Sequence, residues 1–257
     1  AARSQYARPG ALAGTSTAAG TRVHAPQRLY DMSSAQSDPW TAVRMIRNNT
    51  PLTSYTETFT VSDRAAASSA EVLIVDLHGG VDQPQSPDHS VRLYLNDQLI
   101  GQRPFDGLVA YRAQFALPTG VLRQGSNALR VDMVGDTGAP ASVVYLDAIE
   151  ARYLRELRAV DDRLELALPA AAGTTAAGDR IHADNFDDLG LAACNGANCG
   201  AYSVRGYTRP DVRLIHQRAD GSIAELAGVR AVLEADQSYT LSFAVPLDGG
   251  KVWSAPA

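Results

Sequence analysis

Val91-Arg92-Leu93-Tyr94-Leu95-Asn96-Asp97-Gln98-Leu99-Ile100-Gly101 decides how the rest of the chain is read. Apolar residues at 91, 93 and 95 alternate with Arg92 and Tyr94, the two-residue period of a strand with one buried face. Asn96-Asp97 follows, two residues that tolerate the left-handed backbone of a tight hairpin turn, and Gln98 to Gly101 returns.

The same period recurs on both sides. Upstream, Glu71 to Leu77 (EVLIVDL) is a β-branched run closed by Gly79-Gly80. Downstream, Tyr111 to Leu117 alternates and stops at Pro118, and Ala128 to Val134 alternates until Gly135-Asp136-Thr137-Gly138. Ser142 to Tyr153 (SVVYLDAIEARY) is a long strand; if it is regular, Asp147 and Glu150 fall on opposite faces. A second set follows: Arg163 to Leu168, Tyr202 to Tyr207, Val212 to His216, Ile223 to Leu226, Val229 to Ala235 and Tyr239 to Val245. Asp220-Gly221 marks a hairpin within it. Many short strands at near-regular spacing predict an all-β sandwich or barrel architecture. Helix is predicted at one place, Ser37-Asp38-Pro39-Trp40 leading into TAVRMIRN, where a cap residue precedes a proline. Tyr153 to Arg158 reads either as one helical turn or as the end of the long strand.

At 257 residues and 45% hydrophobic content the chain can bury one large core or two medium ones. The charged stretch Arg158 to Asp162 is the expected boundary. The expected divisions are a flexible Ala/Gly-rich arm over 1–24, a first sandwich over 25–158 and a smaller, Ig-like second sandwich over 159–257. Net charge is −5, and all basic residues but Lys251 are arginine. No basic stripe is available for phosphates, which argues against nucleic acid as a partner. No apolar run reaches about 18 residues, so no membrane span is expected. Ala1 to Gly20 lacks the charged and apolar regions of a signal peptide. Cys194 and Cys199, the two cysteines, share a short polar loop; a disulfide between them fits an oxidising compartment and a secreted, extracellular or periplasmic protein.

No complete catalytic set emerges. A Gly-x-Ser-x-Gly elbow is missing from the sequence. His78-Gly79-Gly80 ends an apolar strand and has the form of an oxyanion loop, but a strand-ending turn accounts for it. Asp184, Asp187 and Asp188 could offer oxygens to calcium, although their spacing is not that of a helix–loop–helix site, and a solvated turn explains them as well. Trp40, His89 and Tyr94 pair aromatic faces with a polar group and are the candidate ligand-binding residues for a sugar. No other cofactor is expected.

Asp88 to Val131 carries a family likeness. Its order is strand, asparagine turn, return strand with Gly101, an apolar strand ending at Leu117-Pro118, then Leu122, Gly125, Asn127 and Leu129. This resembles the galactose-binding-like jelly rolls, in which the Gly-x-Asn turn sets the register of the next strand. The longer order runs from Ser37-Asp38-Pro39-Trp40 through Val144 to Leu146, Tyr153-Leu154-Arg155, Val204 to Tyr207 and Asp211 to Leu214 to Leu241-Ser242-Phe243. It resembles the β-rich region upstream of the catalytic domain in gingipain-like cysteine peptidases, over about Arg28 to Trp253. The resemblance implies a jelly roll followed by a second sandwich, with no catalytic residues of its own. In that family the catalytic histidine and cysteine lie in a separate α/β domain. It also implies an accessory or pro-region role, packing against or presenting a peptidase catalytic domain or other protein domain. The alternative is a carbohydrate-binding module with a glycan as partner. An accessory unit needs an exposed apolar patch, and Leu73 to Val75 are candidates for it.

Overall fold

A computed structural model describes residues 14–32, 38–48, 53–66, 70–170, 198–226 and 228–255. The architecture is all-β, and the chain divides into two compact units, Ala19–Arg155 and Glu156–Ala257 with Ala1–Ala18. The first is the N-terminal sandwich and the second the C-terminal sandwich.

The N-terminal sandwich contains β1 (Thr17–His24), β2 (Leu29–Tyr30), β3 (Trp40–Thr41), β4 (Val43–Asn48), β5 (Ser54–Val61) and β6 (Val72–Gly79). After them come β7 (His89–Leu95), β8 (Gln98–Phe105), β9 (Ala110–Ala116), β10 (Gly125–Met133) and β11 (Ala141–Glu156). One sheet runs β1-β11-β6-β9 with β4 also on β11; the other runs β5-β10-β7-β8, and β2 pairs with β3. Alternation selects the inner faces. Leu73, Val75 and Leu77 from β6 meet Val91, Leu93 and Leu95 from β7 and Leu129 and Val131 from β10 in one core. Each of these side chains contributes about 1.5–3 kcal/mol by leaving water.

The Asn96-Asp97 hairpin forms as expected. Asn96 and Asp97 have φ of 51° and 70°, and Leu95 pairs with Gln98. The Gly-x-Asn step works through its amide. Asn127 donates to the Gly125 carbonyl at 3.1 Å and accepts from the Arg123 N–H at 2.8 Å. Asn96 Nδ2 also donates to Asn127 Oδ1 at 2.9 Å, so the two turn asparagines hold each other.

Three expectations need correction. Trp40 to Asn48 is not helical: β3 pairs with β2, and β4 lies on β11 with Met45 inward and Ile46 outward. The free edge of β11 satisfies this backbone, which outweighs the capping signals. Asp38 accepts from the Trp40 N–H at 3.0 Å, but in a turn. The 1–24 arm is likewise not free throughout, since β1 joins a sheet and Thr15 bonds Ala201 and Ser203. Of the two readings left open for Tyr153 to Arg158, the strand one holds over Tyr153 to Glu156, which continues β11. Finally, Leu73 to Val75 form no exposed patch; all three are fully buried.

The C-terminal sandwich contains β12 (Glu165–Ala167), β13 (Cys199–Tyr207), β14 (Arg213–Gln217), β15 (Ile223–Glu225), β16 (Arg230–Leu233), β17 (Tyr239–Pro246) and β18 (Lys251–Ala255). Its sheets run β12-β18-β14-β15 and β13-β17-β16 around Leu166, Tyr202, Val204, Leu214, Phe243 and Val252. The Asp220-Gly221 hairpin forms between β14 and β15, with Gly221 at φ 85°. Among the described residues no helix is long and apolar enough to cross a membrane.

Candidate functional site

The residues singled out in the sequence do not converge. Trp40 packs edge-on against Tyr30, with ring centroids 5.1 Å apart. Tyr94 lies on the solvent side of β7, with the Arg130 guanidinium 4.1 Å from its ring centroid. His89 is five positions away on the same strand, faces inward and is wholly buried. A buried imidazole cannot line a sugar groove, so the grouping of Trp40, His89 and Tyr94 is set aside. Cys199 opens β13, whereas Cys194, Asp184, Asp187 and Asp188 lie outside the described residues.

His89 does hold an arrangement with the composition of a hydrolytic triad. Its Nδ1 is 2.7 Å from Ser142 Oγ. Its Nε2 is 3.2 Å from the Val81 carbonyl oxygen and 3.3 Å from Asp88 Oδ1. Both oxygens only accept, so Nε2 carries the proton and Nδ1 accepts from the serine hydroxyl in the neutral ring. Asp88 accepts two further backbone bonds, from Gln83 N–H at 2.8 Å and Gly107 N–H at 2.9 Å. Ser142 is 5% exposed, and His89 and Asp88 are fully buried. Nucleophilic catalysis needs a serine that substrate can reach and free donors for the developing oxyanion. Here every group is spent on tying loops to β7 and β11.

His78-Gly79-Gly80 fails as an oxyanion loop for the same reason. Gly79 N–H donates to the Val109 carbonyl at 3.0 Å and Gly80 N–H to the Val143 carbonyl at 2.8 Å. Neither donor is free for an oxyanion. Glycine is required at 79, because a Cβ would sit 1.9 Å from the Gly107 carbonyl oxygen.

On the outer face of the β6–β9–β11 sheet, a cleft of about 280 Å³ is lined by Asp76, Tyr111, Arg112 and Asp147. The β11 register shifts between Leu146 and Ala148, and Leu146 and Ile149 both enter the core. That bulge brings Asp147 and Glu150 to one face, correcting the expectation from a regular strand. Arg112 bridges Asp76, at 2.8 Å, and Glu150. Burial raises the Asp76 carboxyl, Arg112 opposes this, and Asp147 and Glu150 push it further up. Burial also pushes the Glu150 carboxyl up, but hydrogen bonds from Arg152 and Arg112 outweigh it and hold it below the usual range. A glycosidase pair must face each other across an open gap. Asp76 and Glu150 instead share one guanidinium, which makes them an ion-pair network. The His78 ring, buried under this face, has Nε2 3.7 Å from Asp147 Oδ2. No group of three or more His, Cys, Asp or Glu among the described residues converges as a metal site.

The open surface lies in the C-terminal sandwich. A groove of about 500 Å³ runs over the outer face of β12 and β18, lined by Val160, Arg163, Glu165, Gln217, Lys251 and Trp253. Trp253 sits between Glu165 on β12 and Ile215 on β14. Lys251 Nζ is 3.2 Å from Glu165 Oε1 and 5.9 Å from the Trp253 ring centroid. Sequence reading did not assemble this groove. Alternation in RLELAL and in KVWSA places Arg163, Glu165, Lys251 and Trp253 outward, but the pairing of residue 165 with residue 253 spans most of the domain and leaves no local signal.

No family model and no curated protein matches the chain. Among solved structures it is similar to dimeric latent PorU from Porphyromonas gingivalis, with a TM-score of 0.58 and 15% identity over 98% of this chain. The chain spans 22% of that protein's length, and the likeness is one of fold. The carbohydrate-binding module CBM36 in complex with calcium and xylotriose matches 51% of this chain and 89% of its own at 18% identity and a TM-score of 0.30. A CBM36-1 domain of a multidomain xylanase from the hindgut metagenome of Trinervitermes trinervoides matches 51% of this chain and 96% of its own at 13% identity and a TM-score of 0.31.

Proposed function

We propose that this chain is a non-catalytic accessory or pro-region unit of a secreted gingipain-like peptidase, where it packs against or presents a catalytic domain. The observation that carries the reading is the similarity to PorU over nearly the whole chain, which corresponds to about a fifth of that protein. The internal chemistry is in keeping with it. The most triad-like residues of the N-terminal sandwich, Asp88, His89 and Ser142, are consumed in packing. A Cys194–Cys199 disulfide would suit a secreted protein.

The test is the reading frame that encodes the chain. The proposal expects an α/β segment containing a histidine followed by a cysteine beyond Ala257, and expects that segment, expressed separately, to form a stable complex with this chain. A frame without such a segment, or a segment that neither binds the chain nor needs it to fold, overturns the proposal. A second reading, a carbohydrate-binding module, is favoured by one observation: the exposed groove around Trp253.

A further inference from the structure

Sheet pairing places an aromatic ring and three kinds of polar side chain on one open face of the C-terminal sandwich. In β18, Val252 is fully buried and Ser254 nearly so, which turns Lys251 and Trp253 outward. Across the sheet, Lys251 neighbours Ala167 and Gln217, while Trp253 neighbours Glu165 and Ile215. A shallow groove of about 500 Å³ results, open along its length.

Glu165 is bonded to Lys251 at 3.2 Å. Arg163, at the groove's edge and exposed, makes no side-chain hydrogen bond or ion pair among the described residues. Among the described lining residues two cations, Arg163 and Lys251, face the carboxylate of Glu165, and Arg163 carries a planar guanidinium, whose fork fits a carboxylate in two parallel hydrogen bonds. The indole offers an electron-rich flat face to the weakly positive C–H groups of a pyranose ring. The Gln217 amide and the Glu165 carboxylate can meet hydroxyl groups at the ring's edge.

We infer that this groove binds an acidic oligosaccharide: a pyranose stacked on Trp253, its carboxylate on Arg163 and its hydroxyls on Gln217 and Glu165. A shallow open channel admits a chain of sugars, unlike the enclosed pockets that hold small ligands. The inference rests on the carbohydrate-binding reading of this groove and not on the peptidase reading, which stands or falls by the separate test of the reading frame.

The test titrates the full chain with a short oligogalacturonate, followed by tryptophan fluorescence and calorimetry, with a neutral xylo-oligosaccharide of the same length alongside. Expected are saturable binding of the acidic sugar, weakened by added salt, and a loss of about tenfold or more in Trp253→Ala, as for an aromatic anchor. Trp40→Ala should bind as the parent does. Arg163→Gln should remove the preference for the acidic sugar. If Trp253→Ala folds poorly, Gln217→Ala and Arg163→Gln together should give the same loss. No saturation, equal binding of both sugars, or undiminished binding in the variants overturns the inference. So does a protein partner that shields Trp253 when no sugar does.

Discussion

The two sandwiches place their polar groups in opposite ways. The N-terminal one buries Glu57, Glu71, His78, Asp88, His89 and Asp132 among its strands and loops. Among its described residues the C-terminal one buries the polar side chains of His216 and Ser254 and keeps Arg163, Glu165, Gln217 and Lys251 beside Trp253 at the surface. A histidine or aspartate in a sequence is therefore no guide to activity until its surroundings are known. In the first sandwich Asp88 accepts the N–H groups of Gln83 and Gly107 from neighbouring loops; in the second the polar side chains beside Trp253 stay at the surface.

Substitution of Asp88 should break this contrast most. Asp88→Ala removes the charged acceptor of two part-buried N–H groups, and should cost about 2–4 kcal/mol. Hydrogen exchange read peptide by peptide should show the loss in Ala19–Arg155 and little change in β12 to β18. A uniform change across both sandwiches would contradict the separation.

Acid is the next largest probe. Glu57 is 3% exposed and is held by His24 at 2.8 Å, Arg28 at 3.0 Å and Tyr55 at 2.8 Å. Burial pushes its carboxyl up, but these hydrogen bonds and the Arg28 charge outweigh burial and set it at about 2, below the ordinary 4.5. A depressed folded value stabilises the protein fully above the unfolded value. That stability is lost as pH falls from about 4.5 through about 2. The loss should be about 2–3 kcal/mol, discounted because Arg28 is half exposed. Urea unfolding of the N-terminal sandwich across that range should show it, and Glu57→Gln should flatten the curve.

Much of this architecture was legible because it depends on local pattern. Alternation around Val91 to Leu95 and the left-handed tolerance of Asn96-Asp97 needed no distant partner. What was not legible depended on contacts far along the chain. Val43 to Asn48 becomes a strand because the edge of β11 receives it. The bulge at Asp147 moves a carboxylate between faces, and strict two-residue counting has no means to register one extra residue. The Trp253 groove needs β12, β14 and β18 side by side, although its outward residues could be picked by parity in each strand.

The remaining predictions sharpen the comparison in the C-terminal half. Non-reducing alkylation and mass mapping should find Cys194 linked to Cys199, and reduction should lower stability by about 2 kcal/mol, the scale for a short closed loop. Trp253→Ala should cost less than about 1 kcal/mol, since the ring contributes to an open face.

The most direct test asks whether the buried Ser142–His89–Asp88 chain is a packing device. The folded protein is treated with a fluorophosphonate that labels activated serines, then mapped by mass spectrometry. Ser142 is expected to stay unlabelled until denaturant unfolds the N-terminal sandwich. Labelling of Ser142 in the native protein, abolished by His89→Ala, would mean that the serine is reachable and activated, and would contradict the account.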